Sequence, residues 1–205
     1  MQNQLLIGLI AVAMLSAMIV SASASQKSYS QKQLTINGAG ATFPFPVIDT
    51  WRVAYQKVHP NVNINYQSIG SGDGVRQFAA KTVDFGASDT PLTAEERQAV
   101  PGVVQIPETI ESVVVAYNIP GIPTKMLKFT GPVLVDIFQG KITKWNDPRI
   151  KALNTGVSLP DTNIVVVHRS DGSGTNYVWT SYLSSQSRSW NQTVGFRSQL
   201  HGQLG

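Results

Sequence analysis

The chain has 205 residues, 42% of them hydrophobic and 14% charged, which suits one large globular domain or two small ones and excludes a disordered or fibrous chain. Sixteen basic against twelve acidic residues give a net charge of +4 with no Lys/Arg run, so the excess suits an anionic ligand and excludes a nucleic-acid-binding stripe. Cysteine is absent, which excludes disulfides, thiolate metal sites, Cys nucleophiles and a lipid-modified N-terminal Cys.

Leu5 to Val20 is apolar and uncharged, and Ala22-Ser23-Ala24 has the small-x-small form that signal peptidases cut. Residues 1–24 are therefore expected to be an export signal, or an uncleaved membrane anchor, placing the body of the chain in the periplasm or on the extracellular face. Residues 25–33 read as a polar linker. A short strand, Leu34 to Ile36, runs into the loop "NGAGATF" (37–43). Pro44 and Pro46 can open a helix, with Val47, Trp51, Ala54, Tyr55 and Val58 on one apolar face. Alternating Val62, Ile64 and Tyr66 predict a second strand, followed by the loop "GSGDG" (70–74) and a short helix over "VRQFAAKT".

"VDFGAS" (83–88) predicts a third strand, and Thr93 with Glu96 forms a capping-box pattern that opens a helix. "ESVVVAYNI" is long enough for a buried strand, and "PGIP" (120–123) marks a break where the chain can pass into another lobe. "GPVLVDIFQGKI" predicts a helix with Val133, Ile137 and Phe138 on one side. "TNIVVVHR" predicts a buried strand, and "TNYVWTSYL" the helix after the loop "DGSGT" (171–175). Alternating strands and helices argue an α/β fold in two lobes.

The strand–small-residue loop–helix unit thus occurs three times. A helix N-terminus leaves backbone N–H groups unpaired and favours anions, glycines let a ligand come close, and Ser or Thr add hydroxyl donors. Taken singly, each loop is equally a closed turn with a capped helix. Together, with Arg169 at a strand end, they predict a site for a small anion. None has the Lys and spacing of a phosphate-binding nucleotide loop, "GAGATF" has Phe43 where a dinucleotide fingerprint needs Gly, and no G-x-S-x-G elbow occurs. His59, His168 and His201 lack partners at metal-ligand spacing, so no metal and no cofactor are expected. Asn191-Gln192-Thr193 is a sequon of the kind that arises by chance.

Asp171 lies two residues from Arg169 and can hold its guanidinium. Asp89 ends the strand "VDFGASD", and two roles are open to it. It can cap the turn through "TPLT", or it can face the anion, where a carboxylate helps only if the ligand carries a proton. Monohydrogen and dihydrogen phosphate do; sulfate does not.

"NGAGATFPFPVIDTW", "SIGSGDGVRQF", "VDFGASDTPLT", "VVVAYNIPG", "QGKITKWND" and "VVVHRSDGSGTNYVWTSYL" resemble, in that order, the substrate-binding proteins of high-affinity phosphate ABC transporters, over about residues 34 to 190. The resemblance implies a two-lobed periplasmic-binding-protein fold of type II that closes on one phosphate ion. Lobe 1 would begin with residues 34–118, and residues 119–205 would be an incomplete lobe 2, since family members run longer; the fold is expected to be truncated at its C-terminus and binding to be weak or absent. It also implies ligand contacts at Ala41, Thr42, Phe43, Ser71, Asp89, Arg169, Ser173, Gly174 and Thr175, with Asp171 behind Arg169. Asp73 departs from the small residue usual in the second loop. The implied function is delivery of phosphate to a membrane permease by a monomeric binder that is neither an enzyme nor nucleic-acid-binding. The alternatives are a secreted phosphatase using the same pocket, and an anchored phosphate sensor or scavenger.

Overall fold

The computed structural model of the protein describes residues 32–124 and 126–200. The expected export signal, most of the linker and His201 lie outside the described residues. By their internal contacts the described residues from Leu34 onward form one unit.

Its first half is a parallel sheet with helices as crossovers. Strands β1 (Leu34–Gly40), β2 (Val62–Ser68) and β3 (Phe85–Ala87) lie in the order β2-β1-β3, with helix α1 (Phe45–Val58) leading to β2 and α2 (Ser71–Ala79) leading to β3. Register runs from Leu34↔Val62 to Gly40↔Ser68, and from Gly38↔Phe85 to Gly40↔Ala87. Parallel pairing requires such crossovers, and it brings all three carboxyl ends to one edge of the sheet. That edge is where the loops gather. Helix α2 presses so closely on β1 that a Cβ on Gly74 would collide with Gly40 Cα and lie 2.7 Å from the Ala39 carbonyl oxygen. Gly74→Ala is therefore expected to destabilise the fold by about 1–3 kcal/mol, since backbone cannot step aside as a side chain can; a urea melt checks this.

The capping box forms as expected at the start of α3 (Ala94–Ala99): Thr93 Oγ1 accepts from Glu96 N–H at 3.2 Å, and Glu96 Oε2 accepts from Thr93 N–H at 2.8 Å. Helices α4 (Gly131–Phe138), α5 (Pro148–Leu153), α6 (Gly174–Gln186) and α7 (Arg188–Thr193) follow. Two apolar clusters hold them. Leu134, Val135, Leu183, Trp190, Val194 and Leu200 form one, and Ile137, Ile142, Ile150 and Leu159 the other, with Val133 and Phe138 packed against the latter as predicted. Asn191 of the sequon is exposed on α7.

Four expectations are corrected. Strand β1 continues through Gly40, so half of the first predicted loop is ladder; Gly38 fits there because its missing side chain leaves room for the Phe85 ring. Helix α1 and its cap bury Ile48 and Pro44 rather than the predicted face, leaving Trp51 49% and Val58 70% exposed. The run ending in "ESVVVAYNI" forms no strand, and Val104, Ile106, Ile110 and Val114 are exposed; among the described residues no neighbouring strand supplies it with ladder partners. "TNIVVVHR" makes only a bridge at Asn163 to Lys144. Its Ile164 and Val166 pack inward while Val165 and Val167 face out, so it is buried on one side and not on both.

Candidate anion-binding site

The first loop begins at Ala41, where the sheet edge ends. Ala41 N–H donates to the Ala87 carbonyl at 2.9 Å, and the Ala41 carbonyl accepts from Tyr66 Oη at 2.6 Å. The predicted amide donor at Ala41 is thus already used in closing the end of the sheet, which corrects its assignment. The Thr42 and Phe43 amides, by contrast, have no backbone acceptor among the described residues. Tyr66, read only as a strand residue, props this loop from below; burial first, and then Glu108 and Asp89, push its phenol above the ordinary range.

The second loop is mostly the first turn of α2, which starts at Ser71 and not at Val75. Gly70 precedes it with φ +95°, a left-handed conformation that glycine adopts without strain. Ser71 is buried, and its Oγ accepts from Asp89 N–H at 3.2 Å. Asp73 turns to Arg76 on its own helix and forms an ion pair there.

The third loop carries the charge. Arg169 Nε donates to Asp171 Oδ1 at 2.9 Å and Nη2 to Oδ2, a two-pronged pair, while Nη1 donates to Thr42 Oγ1 at 3.2 Å. The guanidinium hydrogen bond holds the Asp171 carboxyl below the usual range, against a smaller opposing effect of burial. Ser173 caps α6: its Oγ accepts from Asn176 N–H at 3.3 Å and its own amide donates to Ser198 O at 3.0 Å. What Ser173 can still offer a ligand is its hydroxyl proton. Gly174 and Thr175 follow in the first turn, where amides lack helical partners. Asn176, which no sequence motif singles out, is buried and donates from Nδ2 to the Arg169 carbonyl at 2.7 Å, tying the helix to the segment that carries Arg169.

Asp89 does not cap the following turn; Ser88 Oγ does that by accepting from Thr90 N–H at 3.2 Å. Asp89 Oδ2 is buried without a partner. Burial raises its pKa; the Ser71 hydrogen bond and Arg169 pull the other way, and Glu111 adds to the rise. Glu108 is raised too, by burial and then by Asp89. Sequence reasoning missed Glu108 and Glu111, which reach Asp89 only through the fold. All three acids line an open cavity of about 860 Å³ together with Phe43 and Phe85.

The structure therefore brings the three predicted loops together. Arg169 meets Thr42, and Gly174 lies so near Asp89 and Ser71 that a Cβ there would collide with the carboxylate and stand 2.7 Å from Ser71 Oγ. The site can offer backbone amides, hydroxyls and one guanidinium to an anion, and one raised carboxyl as acceptor. Among the described residues no cluster of His, Asp or Glu is placed to hold a metal. His59 packs at a tilt against Tyr55 with 4.3 Å between ring centroids, and His168 Nδ1 lies 3.0 Å from the Arg169 carbonyl oxygen.

Comparison with known proteins agrees with this picture. The chain is 54% identical over 161 residues to the phosphate-binding protein PstS of Pasteurella multocida, covering 78% of this chain and 46% of that protein. It is 50% identical to the Haemophilus influenzae protein of the same name (78% and 48% covered) and 45% identical to that of Methanocaldococcus jannaschii (83% and 46%). The chain spans about half the length of the curated relatives it matches. A solved Clostridium perfringens structure with bound phosphate, assigned as a phosphate ABC transporter substrate-binding protein, superposes with a TM-score of 0.51 at 24% identity, covering 80% of this chain and 57% of that one; this is a likeness of fold. Residues 21–200 match the family described as the PBP superfamily domain. With sheet, loops and match in agreement, the chain belongs to the PBP superfamily.

Proposed function

We propose that this chain binds inorganic phosphate outside the cytoplasmic membrane, for delivery to the permease of a phosphate ABC transporter. The observation that carries the reading is the buried, unpartnered Oδ2 of Asp89 beside the Ser71 hydroxyl and the first turn of α6. A carboxylate in an anion site is repulsive unless the anion donates a proton to it, and phosphate has that proton where sulfate has none. The names of the relatives support the same ligand. Thr42, Phe43, Ser71, Ser173, Gly174 and Thr175 would supply the donors, Arg169 the charge, and Asp171 the constraint on Arg169. In place of an amide, Ala41 supplies a fixed backbone for the first loop. Residues 34–118 and 119–205 would belong to the two lobes that close on the ion. Among the described residues no helix is long and apolar enough to cross a membrane.

Thermal denaturation with added ligand tests this. Phosphate at ten times its Kd should stabilise the folded chain by about 1.4 kcal/mol, and sulfate at the same concentration should not. Equal stabilisation by the two anions would overturn the reading. Release of phenol from phenyl phosphate by the pure protein would replace it with the phosphatase alternative.

A further inference from the structure

We propose that Gly72 and Gly172 form a backbone latch that sets how closely the second and third loops approach, and so whether their donors converge on one anion. The proposal rests on the phosphate reading above. Gly72 N–H donates to the Gly172 carbonyl at 2.9 Å, joining two loops far apart in sequence. A Cβ on Gly72 would lie 3.1 Å from Gly172 Cα and 3.2 Å from its carbonyl oxygen; a Cβ on Gly172 would lie 3.2 Å from Gly72 Cα. Neither glycine is among those with positive φ, so the backbone conformation does not demand glycine at either place. The close approach does.

The latch is flanked on both sides by the groups of the site. Ser71 precedes Gly72, while Asp171 and Ser173 bracket Gly172. One residue beyond, Gly174 lies against Asp89 and Ser71, and Gly70 lies against the Asp171 carboxylate, 2.7 Å from where its Cβ would be. The contact also redirects a donor. The Gly72 amide sits in the first turn of α2, where an N–H would otherwise be free for the ligand, and it is given to a carbonyl of the opposite loop instead. The second loop then reaches an anion chiefly through Ser71, while Gly72 holds the loops in register. A methyl group at either glycine pushes backbone against backbone, with no flexible side chain to yield. Both glycines are positioning residues.

The test uses Gly72→Ala, Gly172→Ala and the double variant of the full chain. Three readouts are taken: exchange of the backbone amide at position 72 without ligand, phosphate affinity, and melting temperature. Each single variant should weaken phosphate binding by about tenfold or more, as small misplacements do at a site built on position. Exchange at position 72 should quicken, and the melting temperature without ligand should hold in Gly72→Ala, where the helix preference of Ala offsets the crowding. The double variant should bind no worse than the weaker single, because both act on one contact. Wild-type affinity in both single variants overturns the proposal, as does a double variant whose losses multiply. An unprotected Gly72 amide in the wild type overturns it as well, whatever the affinity. If the wild-type chain binds no phosphate, the functional reading fails, and the amide exchange of wild type and Gly172→Ala still decides whether the latch exists.

Discussion

Arg169→Ala is expected to weaken phosphate binding by about 1.5–3 kcal/mol, or roughly tenfold to 150-fold in Kd. Two effects add. The anion loses a charge-assisted donor, and the Asp171 carboxylate loses the cation it is paired with and stays in the site as an uncompensated negative group. No other Lys or Arg occurs in the three loops 37–43, 70–74 and 171–175 to replace it. Arg169→Lys keeps the charge but cannot span both Asp171 oxygens while donating to Thr42, so it should recover part of the loss and not all of it. Calorimetric titration of the three proteins with phosphate checks the order. Equal affinity of Arg169→Ala and wild type would remove Arg169 from the site. The Asp171 carboxyl has its pKa lowered on folding, so the stability it contributes is present at neutral pH and is lost only as pH falls below the ordinary carboxylate value.

What was legible in the sequence was local. The capping box at Thr93 and Glu96 could be read because both partners lie within one helical turn, and the Arg169–Asp171 pair because they stand two positions apart. The three glycine-rich loops could be read as helix starts on the same ground. That they meet follows from parallel β1, β2 and β3 ending at one edge, and alternation of strands and helices already implied that. The failures were non-local. Ala41 looks like any loop amide until Ala87 arrives beside it, and Gly38 looks like loop until the Phe85 ring occupies the space above it. Glu108 and Glu111 stand some twenty residues from Asp89 in sequence, with no motif to join them. The segment "ESVVVAYNI" (111–119) has the composition of a strand, but a strand is a relation between two segments, and composition describes only one of them.

Asp89→Asn separates the cost of the site from its selectivity. Burial raises the Asp89 pKa above its unfolded value, so the folded chain holds the proton more tightly in the window between the two, and stability falls as pH rises through it. Above that window the ionised carboxylate, with Oδ2 buried and unpartnered, is a liability to the unliganded fold. Replacing it with a neutral amide should raise the unliganded melting temperature by about 2–4 °C, the equivalent of about 1 kcal/mol. The same change should weaken discrimination between phosphate and sulfate by about tenfold to a hundredfold, because an amide can donate to a fully deprotonated oxygen where the carboxylate could only repel it. Melting without ligand and titration with each anion read the two effects apart. A protein that is more stable and less selective supports a carboxyl whose strain is spent on reading the ligand's proton. One that is more stable but equally selective would leave Asp89 buried for another reason and transfer the discrimination to the amides and hydroxyls around Ser71 and Gly174.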